Sequence, residues 1–482
     1  MLLRRFYDET LAQASYLIGC QRTGEAIVVD PNRDADQYLN AAKAEGVRII
    51  YVTETHIHAD FVSGARELSR RAGASLLLSD CGAPDWRYAY AGAEHARLLR
   101  DGDSIEVGNV RLDVLHTPGH TPEHMAFVVT DQATANEPMG MLSGDFIFVG
   151  DVGRPDLLER AAGIAGSTDE LARALHRSLR RIASLPDWLQ LWPGHGAGSS
   201  CGKALGAVPQ STLGYERRFN WAFQIADETE FVREALAGQS EPPPYFARMK
   251  RLNQRGPRVL GAFPSPVAID DIGLREAQRV ATPIIDTRPT AAFASGHLRG
   301  SISLPFGKSF TSWAGWLVDG EREVVLIADD AKMAAAASRA LALIGIDRVA
   351  SYAAPSAMRA AAGDGGLQVV QRLSASELEA RMALGDVHLI DVRDPAEWRA
   401  GHLPGAQNVP LGQLAAHVGD LPRDRAIVLQ CQGGSRSMIG SSLLQARGVA
   451  RVLDLRGGFA EWEASGLPTQ RSDRVSSTDV PA

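Results

Sequence analysis

Apolar residues in the first half of the chain come in short runs separated by polar, glycine- and proline-containing stretches. Ala26 to Val29, Val47 to Val52, Val110 to Leu115, Met125 to Val129, Met139 to Leu142 and Trp188 to Trp192 each read as a strand. Between some of them the spacing turns helical, over about Ala35 to Glu45 and from Ala65 to Ala72, where Gly73 supplies a C-cap. Strands alternating with helices predict an α/β layered domain. A helical pattern over Leu213 to Leu236 is broken by Glu241-Pro242-Pro243-Pro244-Tyr245. We therefore end the first domain at residue 240 and read 241–264 as a connector packed on it.

The second half repeats itself. Ile285-Asp286-Thr287-Arg288, followed by Gly296-His297-Leu298-Arg299-Gly300 and Pro305, returns at a constant offset as Ile390-Asp391-Val392-Arg393, Gly401-His402-Leu403-Pro404-Gly405 and Pro410. Self-similarity on this scale predicts two copies of one fold, at 265–365 and 372–470. In the later copy the strand Ala426 to Gln430 empties into Cys431-Gln432-Gly433-Gly434-Ser435-Arg436-Ser437, ahead of a helix from about Met438 to Arg447. In the earlier copy the matching strand, Val324 to Ala328, ends at Asp329-Asp330. Residues 471–482, with Ser-Ser-Thr-Asp, read as a flexible tail.

At 482 residues the chain is too long for one core, and about three domains are expected. A net charge of -7 with scattered Lys and Arg offers no basic stripe, so no nucleic-acid partner is expected. No stretch approaches the roughly 18 apolar residues of a membrane span, and Asp8 and Glu9 fall where a signal peptide would continue apolar. Cys20, Cys81, Cys201 and Cys431 lie far apart without a C-x-x-C pair, which suits reduced thiols. A soluble cytoplasmic protein, without a membrane partner, is the expectation.

The candidate chemistry sits just past the strands. His56, His58 and Asp60 alternate after the Val47 to Val52 run; an extended backbone would point all three the same way, and a tight turn would also converge them. His120 lies in H-T-P-G-H-T-P-E-H, Asp145 in S-G-D and His195 in W-P-G-H, each after another strand. Loops at strand ends are where α/β layers build sites, and imidazole with carboxylate suits zinc, iron or manganese. Cys201 follows in a Gly- and Ser-rich stretch that reads as an exposed loop, either an accessory thiol or a packed cysteine. Cys431 leads a glycine-rich loop into a helix start, among inward-pointing N–H groups that hold an anion and activate a thiol.

T-H-I-H-A-D, T-P-G-H-T-P-E-H, S-G-D and W-P-G-H, in this order over roughly residues 1 to 235, resemble the metallo-β-lactamase superfamily. The resemblance implies an αββα sandwich. Two-metal hydrolases of that superfamily read H-x-H-x-D-H, and here the final position is Phe61, which cannot ligate, so a second metal should be weak or absent. The branch that keeps one iron is the persulfide dioxygenases. By resemblance His56, His120 and Asp145 form a facial triad for one Fe(II) per chain, with zinc the alternative ion. His58, Asp60 and His195 become supporting residues or a vestigial second metal site. The stretch from Trp192 to Lys203 is similar to persulfide dioxygenases fused to rhodanese domains.

D-V-R-D-P-A-E-W-R-A-G-H-L-P-G-A-Q-N-V-P and G-G-F-A-E-W-E-A-S-G-L-P around the Cys431 loop resemble the rhodanese family. The resemblance implies two α/β domains with parallel sheets, an inactive copy followed by a catalytic one. Cys431 would carry sulfur as a persulfide, its charge held by Arg436 and the loop of Gln432, Gly433, Gly434, Ser435 and Ser437. Asp391, Trp398, His402 and Trp462 are expected to be structural. The implied activity is oxidation of a small thiol persulfide by O2 to sulfite, with thiosulfate made or used at Cys431, in sulfide detoxification. The carrier thiol stays open, and a homo-oligomer is expected. The rival readings are a glyoxalase II-like thioester hydrolase and a sulfur carrier or sensor without catalysis.

Overall fold

The computed structural model describes residues 1–162, 167–203, 205–239 and 241–471, so the expected tail lies outside the described residues from position 472 onward. Two compact units emerge: residues 1–263 with 342–345, and 264–341 with the chain from 346 onward.

Among the described residues the first unit builds two six-stranded sheets. One runs in sequence order through β1 (Leu2–Asp8), β2 (Gln13–Cys20), β3 (Glu25–Val29), β4 (Arg48–Thr53), β5 (Ser75–Ser79) and β6 (Arg97–Leu99). The other has β7 (Ser104–Val107), β8 (Val110–His116), β9 (Met125–Asp131), β10 (Gly140–Gly144), β11 (Gln190–Pro193) and β12 (Ser211–Thr212), again in sequence order. Strand periodicity explains why β2 and β9 are buried throughout. Met125, Phe127 and Val129 face the core between the sheets, where they meet Ala14, Tyr16 and Ile18. The alternate residues Ala126 and Val128 face outward onto Leu175 and Leu179 of the helix Thr168–Arg181. On the far side Leu17 and Val28 meet Tyr38 and Leu68, which the helices Ala35–Glu45 and Ala65–Ala72 present. The layers are therefore helix, sheet, sheet, helix.

The helical pattern read over Leu213 to Leu236 is three helices, Leu213–Phe219, Trp221–Gln224 and Glu228–Leu236. Asn220 and Asp227 break the run because each caps the next helix, Oδ1 accepting from the N–H of Ala222 and Glu230 respectively. Past residue 240, the helix Tyr245–Arg255 belongs to this first unit.

The second unit holds two five-stranded sheets of one topology. The first contains β13 (Val267–Ala268), β14 (Ile284–Asp286), β15 (Ile302–Ser303), β16 (Val324–Ile327) and β17 (Val349–Ala353), in the order β13-β17-β16-β14-β15. The second contains β18 (Gln371–Leu373), β19 (Val387–Asp391), β20 (Gln407–Asn408), β21 (Ala426–Gln430) and β22 (Val452–Leu455), in the order β18-β22-β21-β19-β20, every pairing parallel. The duplication extends to individual contacts. Arg288 pairs with Asp286 as Arg393 does with Asp391, and each guanidinium also reaches a glycine carbonyl, Gly296 or Gly401. His297 stacks on Phe293 and His402 on Trp398, both at 3.8 Å. The copies diverge at the strand end that matters chemically. In the first, Asp330 caps a helix by accepting from the Met333 N–H, whereas in the second the chain turns at Gly434, φ +90°, and enters the helix at Ser435, three residues ahead of the expected Met438.

Candidate functional site

The loop after β4 is irregular from Glu54 to Gly64, so its three polar residues do not share one direction. His56 joins His120, which follows β8, and Asp145, which follows β10. His56 Nε2 and His120 Nε2 lie 3.9 and 3.5 Å from Asp145 Oδ2. Donors about 2.1 Å from one ion and 90 to 120° apart stand roughly 3.0 to 3.6 Å from each other, so the His120 pair falls inside that range and the His56 pair, at 3.9 Å, lies just wide of it. A second group, Asp60, His195 and Cys201, lies beside it, and in each group the donor atoms are within 4.8 Å of one another. Asp145 links the two, since its Oδ1 is 3.5 Å from His195 Nε2, which is also 3.3 Å from Asp60 Oδ2.

The residues fit a cation. Both oxygens of Asp145 are buried and accept no hydrogen bond, as is Oδ1 of Asp60, an arrangement costly unless positive charge is supplied. Backbone carbonyls set the imidazole tautomers. His120 Nδ1 faces Arg154 O at 3.0 Å and His195 Nδ1 faces Ala12 O at 3.0 Å. Carbonyls only accept, so Nδ1 carries the hydrogen and Nε2 keeps its lone pair for a metal. His56 reaches the same state through Thr55, whose hydroxyl donates to Asp30 Oδ2 and is left to accept from His56 Nδ1 at 3.0 Å. Burial, then the neighbouring imidazoles, pushes His56 well below its ordinary range, and burial also lowers His120; both are neutral, as ligation requires.

His58 goes elsewhere. Its Nε2 lies 3.1 Å from Asp30 Oδ1, and although burial opposes it, that carboxylate holds the imidazole up at about 9. Phe61, fully buried, packs its ring on His58 at 4.4 Å between centroids. Cys201 is a correction to the exposed-loop reading: it is 1 % exposed, turned inward while Ala197 and Gly198 face solvent. Burial, followed by Asp60 and Asp145, drives its thiol well above the ordinary range, which keeps it protonated.

Several positioning residues escaped the sequence reading. Asp30 holds the Thr55 N–H at 2.6 Å. His124 accepts the Asp145 N–H at 3.1 Å while its Nδ1 meets Thr117 Oγ1. From the helix Tyr245–Arg255, Asn253 donates to the carbonyls of His58 and Phe61 and accepts from Ser63 N–H, and the Tyr245 hydroxyl donates to Asp60 O. Motif position hinted at His124 alone; the others are remote in sequence. Gly153 is required by contact, since a Cβ there would fall 1.8 Å from Asp145 O. An apolar hollow of about 390 Å³, lined by Trp86, Pro118, Pro122 and Leu171, borders the turn that carries His120.

In the second unit Cys431 is buried at the end of β21. Its Sγ accepts from the Gly434 N–H at 3.1 Å and lies 3.6 Å from Ser437 Oγ. Gln432 Oε1 accepts from Arg393. Gly433 and Ser435 complete the turn, Gly433 exposed and Ser435 opening the helix. Arg436 holds Glu397 through two hydrogen bonds of 2.6 and 2.7 Å, and its charge also interacts with Cys431. Gly458 clamps the loop from β22: Phe459 N–H donates to Cys431 O at 2.7 Å, and a Cβ on Gly458 would sit 2.0 Å from that oxygen.

Residues 9–195 match the metallo-beta-lactamase superfamily, and residues 273–354 and 374–465 each match the rhodanese-like domain. A crystal structure described as a metallo-beta-lactamase from Staphylococcus aureus subsp. aureus COL is 42 % identical, covers 74 % of this chain and 99 % of its own, and superposes with a TM-score of 0.66. A probable metallo-hydrolase of Burkholderia pseudomallei is 30 % identical over 40 % of this chain and 72 % of its own. The mitochondrial persulfide dioxygenase ETHE1 of Bos taurus is 29 % identical over 48 % of this chain and 80 % of its own length. A sulfurtransferase of Allochromatium vinosum is 37 % identical over 21 % of this chain and 94 % of its own. The chain thus belongs, through its first unit, to the metallo-beta-lactamase superfamily and, through both halves of its second, to the rhodanese-like family.

Proposed function

We propose that this chain is a persulfide dioxygenase with a sulfurtransferase on the same polypeptide. His56, His120 and Asp145 would hold one ferrous ion per chain through two neutral Nε2 atoms and one carboxylate oxygen. When bound, iron on a two-histidine, one-carboxylate face supplies dioxygen activation and leaves open positions for substrate. The chain's own residues hold those ligands in one tautomer, and Phe61 occupies the position where two-metal relatives carry a further histidine. The substrate is a small thiol persulfide, converted with O2 and water to sulfite and thiol. Cys431 moves sulfane sulfur, either onto sulfite to give thiosulfate or from thiosulfate to a thiol, in sulfide detoxification. Four free cysteines suit a cytoplasmic setting where thiols stay reduced.

The observation that carries the reading is Asp145, buried between two imidazole Nε2 atoms with neither oxygen hydrogen-bonded, in a site where the ring packed on His58 is Phe61, which cannot ligate. The test is oxygen uptake by the Fe(II)-loaded full chain with a small-thiol persulfide, alongside metal analysis. Uptake with one iron per chain is expected; no uptake ends the dioxygenase reading. A second reading has its own support, because Asp60, His195 and Cys201 gather beside the triad as a second donor set. Two zincs per chain with thioester hydrolysis would favour a metallo-hydrolase.

A further inference from the structure

Cys431 is not the end of the polar chain in the second unit. Its Sγ lies 3.6 Å from Ser437 Oγ, with the thiol as donor. Ser437 Oγ in turn donates to Asp454 Oδ1 at 2.6 Å, and Asp454 Oδ2 accepts from Arg372 Nε at 3.0 Å. Cys431, Ser437 and Asp454 are each 1 % exposed or less, while the Arg372 side chain, 23 % exposed, reaches the surface. Four elements meet here: the end of β21, the first turn of the helix Ser435–Ala446, β22 and β18. The other charged groups near the sulfur, Arg436, Glu397 and Asp394, are bound up with one another: Arg436 grips Glu397, which accepts from the Asp394 N–H. Besides the Gly434 N–H, Ser437 is the polar partner of the sulfur among the described contacts.

A serine already donating to a carboxylate presents its oxygen lone pair to the thiol. A proton can then pass from sulfur to Ser437 while the Ser437 proton passes to Asp454. We propose that Asp454, acting through Ser437, receives the Cys431 proton as sulfur is loaded, and is the positioning residue of that step. The proposal rests on the sulfurtransferase reading above. Cys431–SH gives its proton through Ser437 to the Asp454 carboxylate. The thiolate forms an S–S bond with the terminal sulfur of a persulfide or thiosulfate. The bond joining that sulfur to the rest of the donor breaks, its electron pair leaves with the thiolate or sulfite, and the leaving group takes the proton back from Asp454. Sulfane sulfur changes carrier, and no external oxidant or reductant is needed. Burial raises the Asp454 carboxyl to about 6, against the opposing pull of Ser437 and Arg372, so it is ionised and ready to accept at neutral pH.

The size of the effect is bounded. An ordinary thiol is about 3 % ionised at pH 7, so an acceptor that removes its proton in step with attack is worth at most about thirty-fold. The experiment follows thiosulfate-to-cyanide transfer by the full chain across pH, with Asp454→Asn and Ser437→Ala. Wild type should show an acid limb near pH 6 in kcat/KM. Both variants should fall by roughly ten- to thirty-fold at pH 7, and Asp454→Asn should lose the limb. Alkylation of Cys431 by iodoacetamide at pH 9.5, read by peptide mass spectrometry, should match wild type, which separates proton transfer from misfolding. If Asp454→Asn misfolds, Ser437→Ala decides. An unchanged rate with the limb intact in either well-folded variant overturns the proposal. Transfer that survives Cys431→Ser overturns the sulfurtransferase reading instead.

Discussion

Replacing Asp30 by asparagine tests how the ligand loop is held. The carboxylate accepts from Thr55 N–H at 2.6 Å and Thr55 Oγ1 at 2.9 Å, and pairs with His58 Nε2 at 3.1 Å. Because the Thr55 hydroxyl is spent on Asp30, its oxygen must accept from His56 Nδ1. A carboxamide keeps the shape but offers one acceptor oxygen for three donors and no charge for His58. The hydroxyl is then free to donate to His56 Nδ1, which moves the imidazole hydrogen onto Nε2, the atom a metal needs. Loss of such an outer contact weakens metal binding about 10- to 100-fold, equivalent to roughly 1.4 to 2.7 kcal/mol. The assay is competition between the full chain and a chelator for Zn(II) or Co(II), with circular dichroism to check the fold. Thr55→Val should shift affinity the same way, and the double variant should fall well short of the sum, as for residues in one network. Unchanged affinity in a folded Asp30→Asn protein refutes the tautomer argument.

Other outcomes follow from the same contacts. His58 stands at about 9 when folded against 6.5 otherwise, so its pairing with Asp30 stabilises fully below about pH 6.5 and is lost as pH rises through 9. Hydrogen-exchange protection of the metal-free 54–64 loop, corrected for intrinsic rates, should decline over that window in wild type and stay flat in Asp30→Asn. Phe61→His returns an imidazole at the position that follows Asp60 and packs on His58; metal per chain, measured by mass spectrometry, should rise from one toward two, and a ratio that stays at one would show that Phe61 is not what limits the second site. Gly458→Ala places a Cβ 2.0 Å from Cys431 O at φ +62°, so the loop must move at a cost of about 1 to 3 kcal/mol. Sulfur transfer to cyanide should collapse while oxygen uptake persists.

Much of the architecture was legible because it follows from local rules. Period-2 burial in β8, where Val110, Leu112 and Val114 are buried and Arg111 and Asp113 are not, is written in the residues themselves. The duplication was visible as repeated letters, and the structure repeats it down to the Asp–Arg pairs. The break of the helical stretch at Asn220 and Asp227 was missed because apolar spacing outweighed two capping residues.

The candidate site divides along another line. Side-chain chemistry is a property of residue type, so the candidate donors His56, His120, Asp145, His195 and Cys431 could be picked out by type and by position after a strand. Which donors share an ion depends on directions in space, and those came from the irregular path of 54–64, held by Asn253 from a helix almost 200 residues away in sequence. Cys201 and Arg436 make the same point. Composition left the first as either an accessory thiol or a packed cysteine, and packing buries it; motif position put the second near a sulfur, and its partner Glu397 could not be read from the sequence. Ser437 and Asp454 became a pair only when β22 was laid against β21, because a hydrogen bond is a relation between two positions and the chain in one dimension specifies only what stands at each.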